Sequence, residues 1–231
     1  MGAVLAMRDA WMGAALLALA GCGAGDGARS GQERALGIAG QVQGLFRGVG
    51  SGDGVGLPRA VPGGFSPEAV AAEPDAYRVV QVNALGLVEV GRVIQENGDE
   101  VTLALQSGPT AAFDGGVLVA TRGFGDDLLT LDSAGVREAI AAGGGAFTRR
   151  MEALDAQDQV VTSAFACTVA PAGEEAVNLG VREARLRRFD ENCRGEALIF
   201  DNIYWLDGGG AIVASRQFVS PSVAYLRSNR L

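Results

Sequence analysis

Two carboxylates stand side by side in Gly123-Phe124-Gly125-Asp126-Asp127. Paired acids serve glycoside hydrolysis when acid and nucleophile sit about 5–5.5 Å apart. Adjacent residues in one turn often point apart, however, and no second acid is identifiable. The pattern favours a polar turn in which one carboxylate accepts backbone N–H bonds. It also lacks the alternating Asp/Asn spacing of a calcium loop. Arg182, Arg185, Arg187 and Arg188 form a basic cluster. On a strand, residues 185 and 187 share a face, where they could meet a carboxylate or an anionic sugar, or pair with Asp190 and Glu191. Trp205 offers a ring for stacking on sugar, although a tryptophan in a strand that is apolar on both faces also suits a core. Trp205, Arg216 and Arg122 are the candidate contacts for a glycan or a partner protein.

The missing residue types exclude more than the present ones suggest. There is no histidine, and all 19 basic residues are arginine. A Ser-His-Asp triad, a histidine metal ligand and a lysine Schiff base are therefore ruled out. No phosphate loop or metal-spaced cluster appears, so no cofactor, no metal site and no catalytic residue are expected, and the chain reads as a non-enzyme. With 27 acids the net charge is −8, which argues against nucleic acid as a partner. Absence of lysine is explained by a GC-rich coding bias.

The N-terminus reads as an address. An apolar run from Trp11 to Ala20 is too short to span a bilayer and suits a signal-peptide core. It ends in Leu19-Ala20-Gly21-Cys22, which resembles the bacterial lipobox. Small residues at 20 and 21 admit a peptidase, and the Cys22 thiol would carry the lipid. Residues 1–21 are thus expected to be a lipoprotein signal, and 22–32 a Gly/Ala/Ser tether. Gly23 after the cysteine favours the outer membrane. Cys167 and Cys193 would then lie in an oxidising compartment, where an even pair favours a disulfide over free thiols. Closing a loop of about 25 residues would stabilise the fold by roughly 3 kcal/mol.

Residues 33–231 are expected to form one mainly β domain. Apolar residues from Leu36 to Val49 recur at helical spacing, although Gly37, Gly40 and Gly44 weaken that helix. A Gly/Pro-rich loop follows at 50–67. From Tyr77 onward the period is two, and Asn97-Gly98-Asp99 marks a hairpin. Further strands are predicted at Gly116–Arg122, Gln159–Val169, Val177–Arg188, Ala197–Leu206 and Ala211–Val219. Asp132-Ser133 caps a short helix through Ile140, and Gly208-Gly209-Gly210 turns the last hairpin. Short strands joined by turns predict an antiparallel curved sheet or partly open β-barrel, with an N-terminal helix and one short internal helix.

Phe200-Asp201-Asn202-Ile203-Tyr204-Trp205-Leu206-Asp207, a glycine turn, Ile212–Gln217 and Ser220-Pro221, together with Thr121–Leu128, resemble the YjbF/GfcB family of outer-membrane lipoproteins. The resemblance covers about residues 70–231 plus the signal. It implies a mostly β, barrel-like lipoprotein of group 4 capsule and exopolysaccharide production. By it, the chain would be a non-catalytic accessory of polysaccharide secretion, held on the periplasmic side of the outer membrane by acylated Cys22. The implied partners are exopolysaccharide and an outer-membrane export protein. Two other readings stay open at this level: a lipid- or lipoprotein-carrying half-barrel, and a carboxylate-dependent glycan hydrolase.

Overall fold

A computed structural model describes residues 65–154 and 159–231. Twelve strands make a single antiparallel sheet: β1 (Tyr77–Val82), β2 (Leu87–Asn97), β3 (Glu100–Leu105), β4 (Thr110–Asp114), β5 (Val117–Arg122), β6 (Leu128–Leu131), β7 (Gly145–Leu154), β8 (Val160–Asn178), β9 (Glu183–Arg194), β10 (Ile199–Leu206), β11 (Ile212–Ser220) and β12 (Ala224–Arg230). The order is β5-β4-β3-β2-β1-β12-β11-β10-β9-β8-β7-β6. First and last strands pair with each other, from Arg78 opposite Arg230 to Val82 opposite Leu226. The two sheet edges, β5 and β6, are consecutive in the chain. The sheet therefore curls into a nearly closed barrel whose gap is bridged by one short turn.

Turn chemistry sets the hairpins. Gly98 takes φ +63° at the β2–β3 turn, a left-handed conformation that glycine adopts without steric cost. At the β10–β11 turn Asp207 Oδ1 accepts from Gly209 N at 2.9 Å and Ala211 N at 3.0 Å. Gly116 permits a close approach: a Cβ there would lie 2.6 Å from Ile212 Cβ.

Inward side chains fill the barrel. Leu103, Leu105, Phe113, Leu128, Phe165 and Leu226 belong to one continuous cluster and are all buried. Along β8, residues 160–170 alternate between exposed outward and buried inward positions from Phe165 on. Among the described residues no helix is long and apolar enough to cross a membrane.

Two further layers cover part of the outer face. Helix α1 (Pro67–Ala72) is capped by Ser66, whose Oγ accepts from Ala69 N. Its Val70 packs on Tyr77, Val79 and Val90. The second layer is an arm, the far half of the β8–β9 hairpin. A bulge between Pro171 and Glu174, with Gly173 at φ +90°, marks where it departs. Beyond the bulge, Val177, Leu179 and Leu186 pack on Trp205, Val213 and Ala214. The arm's tip reaches β12 and β1: Asn229 Nδ2 donates to Asn178 O at 3.4 Å, and a Cβ on Gly180 would meet Val79 Cγ2 at 2.9 Å.

The mainly β barrel and its hairpins match the expectation, with several corrections. The span Val177–Arg188 is not one strand; β8 continues to Asn178 and β9 begins at Glu183, with a turn closed by Leu179 N to Arg182 O. Strands β4, β6 and β7 form where the sequence pattern predicts none. The internal helix, α2 (Ala134–Ala141), lies as expected, and Asp132 Oδ1 caps Ala134 N at 3.0 Å. Ser133 does not cap; its hydroxyl donates to Asp114. Pro67 opens α1 instead of ending a loop. The signal segment, Cys22, the tether, the helix at 33–49 and nearly all of the 50–67 loop lie outside the described residues.

Candidate functional site

The motif Thr121–Leu128 is the latch of the barrel. Thr121 Oγ1 accepts from Leu128 N at 2.9 Å, and Arg122 Nη1 donates to Leu128 O at 2.9 Å. Arg122 Nη2 reaches Leu129 O at 3.3 Å. Side chains thus supply across the gap the bonds a strand ladder would have made. Asp127 holds the turn by accepting from Gly123 N at 2.7 Å, Phe124 N at 3.2 Å and Thr121 Oγ1 at 2.9 Å. Asp126 instead accepts from Ser222. The adjacent acids have separate structural partners.

From inside, Gln217 on β11 pins the other face of the same edge. Its Oε1 accepts from Leu118 N at 2.8 Å, and its Nε2 donates to Gly116 O at 3.0 Å and to Ser215 Oγ at 2.9 Å. Beside it lies a buried ionic network. Arg149 Nη2 donates to Glu191 at 2.8 Å, and the two residues are 1% and 0% exposed. Glu191 Oε2 also accepts from Asn202 Nδ2 and Tyr204 OH, each at 2.8 Å. Burial, then the Glu191 carboxylate, pushes the Tyr204 hydroxyl well above its usual value of 10. Burial alone would lower Arg149, but Tyr204 and Glu191 outweigh it and raise it. The network keeps a neutral phenol and a fixed ion pair inside the barrel.

Cys167 and Cys193 face each other across β8 and β9 and form a disulfide, with Cα atoms 4.1 Å apart. A Glu191 oxygen lies 3.1 Å from Cys193 Sγ; a disulfide sulfur carries no proton, so this is a contact and not a hydrogen bond. Cys167, Cys193 and Glu191 are grouped closely enough to suggest a metal site. With both sulfurs bonded to each other and Glu191 paired with Arg149, the group offers no thiolate ligand.

One cleft, of about 640 Å³, lies at one mouth of the barrel, among the β2–β3, β4–β5 and β10–β11 turns and α2. Asp99, Arg137 and Arg187 stand at its rim, and Ile212 and Arg230 line it. Arg137 is committed, donating to Asp114 at 2.6 Å and to Asp99. Burial pushes the Asp114 carboxyl up, but the Ser133 hydroxyl and Arg137 outweigh it and hold it below its usual 3.8.

The family model for YjbF, the group 4 capsule polysaccharide lipoprotein GfcB, matches residues 60–231. The chain belongs to this family. Among solved structures it is similar to the hypothetical lipoprotein YmcC from Escherichia coli (K12), with TM-score 0.58 and 17% identity over 88% of this chain and 96% of that one. No curated protein matches.

In this YjbF-family chain the motif-bearing stretches that carried the resemblance map onto three places: the latch at Thr121–Leu128, the network strand β10, and Gln217. The anticipated contact residues are scattered. Arg122 is part of the latch. Trp205 is 4% exposed, its indole N–H donates to Glu175 on the arm, and the Arg227 guanidinium lies 4.9 Å from its ring. Its ring is taken up by packing beneath the arm. Arg216 lines a second cleft of about 390 Å³ on the outer face, with Gln81, Tyr225 and Arg227. There it pairs with Asp201 at 2.8 Å and sits 3.8 Å from the Tyr225 ring centroid. Of the basic cluster, Arg185 pairs with Glu174 and Arg188 with Asp190 and Glu175. Glu191, expected beside this cluster, instead turns inward to Arg149, because a buried ion pair between residues 42 apart leaves no local pattern; none marks Arg230 as inward either.

Proposed function

We propose that this YjbF-family lipoprotein is a non-catalytic accessory of exopolysaccharide or capsule secretion, held by acylated Cys22 on the periplasmic side of the outer membrane. The observation that carries this reading is the family match across residues 60–231, which includes all of the described barrel. The site chemistry supports it. The carboxylates that drew attention as catalytic candidates, Asp126 and Asp127, hold a turn and a neighbouring serine. The buried acid, Glu191, is neutralised by Arg149. A lipid carrier needs an apolar cavity, whereas this interior is filled with side chains.

A pull-down of the full lipidated protein from membranes tests the partners. Recovery of exopolysaccharide or of an outer-membrane export protein is the expected result. Recovery of neither from a strain actively secreting polymer contradicts the reading.

A further inference from the structure

Arg78 and Arg230 stand directly opposite each other in the β1–β12 register, and both point into the barrel. Alternation places them there: Val80 and Val82 on β1 and Leu226 on β12, two and four residues away, belong to the interior cluster. Arg78 is 6% exposed, and its guanidinium lies 5.2 Å from the Phe113 ring centroid. Like charges placed opposite on one sheet face destabilise it, and a buried cation normally has a paired acid. Fully buried Arg149 follows that rule, paired with Glu191. Among the described residues, Arg78 and Arg230 are in no ion pair. Their Nε atoms are buried without a hydrogen-bond partner, as are Ser228 Oγ on the same inward face of β12 and the Nε atoms of Arg92 and of ion-paired Arg149. Burial, with Arg230 beside it, lowers the Arg78 guanidinium to about 10.

Arg230 lines the mouth cleft, and Arg187 stands at its rim, also without an acid partner among the described residues. The rim acids do not supply the missing charge: Asp99 is held by Arg137, and Glu96 is on the exposed end of β2. A cleft of about 640 Å³ falls within the usual range for small-ligand sites, roughly 300–1,000 Å³. Its glycine turns and its apolar floor of Leu206 and Ile212 suit a sugar ring, and its arginines suit an acidic substituent. In a chain of net charge −8, two arginines lining this mouth, Arg230 and Arg187, are in no ion pair among the described residues.

We infer that the barrel mouth binds an acidic sugar unit of a polysaccharide, its anionic group seated against Arg230 and Arg187 with Arg78 adding charge from the next strand. The choice of a saccharide rests on the role proposed above; the need for an anion rests on the unpaired arginines alone.

Calorimetric titration of the full-length protein in detergent with tetragalacturonate, maltotetraose and inorganic phosphate tests it. Tetragalacturonate is expected to bind at least tenfold more tightly than neutral maltotetraose. Arg230→Gln and Arg187→Gln should each weaken it at least tenfold. Because Arg187 is exposed, R187Q keeps the test decisive should R230Q fail to fold. Equal binding of the two sugars, or tetragalacturonate binding unchanged in R187Q, overturns the inference. Phosphate binding without tetragalacturonate binding overturns the saccharide assignment. A strain lacking the protein that still secretes normally would end the secretion role while leaving arginine-dependent binding intact. A secretion defect with no tetragalacturonate binding ends this inference alone.

Discussion

The backbone N–H of Leu128 donates to Thr121 Oγ1 at 2.9 Å across the one gap in the barrel. Thr121 is 1% exposed, so that hydroxyl is the buried link between edge strands that do not pair through their backbones. Thr121→Val keeps the shape and strands the Leu128 donor. A buried group left unsatisfied costs about 1–3 kcal/mol, and urea unfolding should show a loss of that size. Thr121→Ser, which keeps the hydroxyl, should lose much less. Equal effects from both would show that methyl packing matters and the latch does not.

The Arg149–Glu191 pair is inside the barrel with no access to water. Breaking a buried pair from one side typically costs about 3–5 kcal/mol, because the remaining charge is uncompensated. Glu191→Gln should therefore unfold at markedly lower denaturant than the parent. The double variant Arg149→Met/Glu191→Gln should be less destabilised than Glu191→Gln alone. A double variant worse than either single would contradict this account.

Asp114 gives the stability an acid limb. Its folded pKa lies below the unfolded value near 3.8, so its contribution is present above that value and is lost as pH falls through the folded pKa. Stability measured from pH 6 down to pH 2 should fall less steeply below pH 4 in Asp114→Asn than in the parent. The variant should be the less stable of the two at neutral pH, since Ser133 and Arg137 lose their ionic partner.

The Cys167–Cys193 disulfide closes a sequence separation of 26 residues. Loop-closure entropy assigns it roughly 3 kcal/mol. Cys167→Ala/Cys193→Ala should lose about that amount in denaturant titrations, and the reduced parent should lose a similar amount. A double variant as stable as the oxidised parent would show that the ladder between β8 and β9 suffices.

Hairpins with strong local chemistry were legible from sequence: Asn97-Gly98-Asp99 and Asp207–Gly210 both turn where expected. So were the pairing of Cys167 with Cys193 and the family, through contiguous motifs. The β8–β9 boundary was not. The arm from Glu174 to Arg188 is polar on one side and apolar on the other, like any strand, and its turn at Asn178–Arg182 contains a single glycine. Strands β4, β6 and β7 are short, or polar enough outward, that no periodicity separated them from loops. The site was least legible. Arg78 and Arg230 lie in ordinary alternating strands, and only the β1–β12 register brings them face to face. Trp205 looked available for stacking because the arm that covers it comes from residues 177–186.

A lipid-anchored role in polysaccharide secretion is tested most directly by measuring surface and secreted polymer in a deletion strain complemented with the parent chain or with Cys22→Ala. The prediction is reduced polymer on deletion, full recovery with the parent, and poor recovery with Cys22→Ala, which should fractionate as soluble protein. Normal polymer in the deletion strain would contradict the claim.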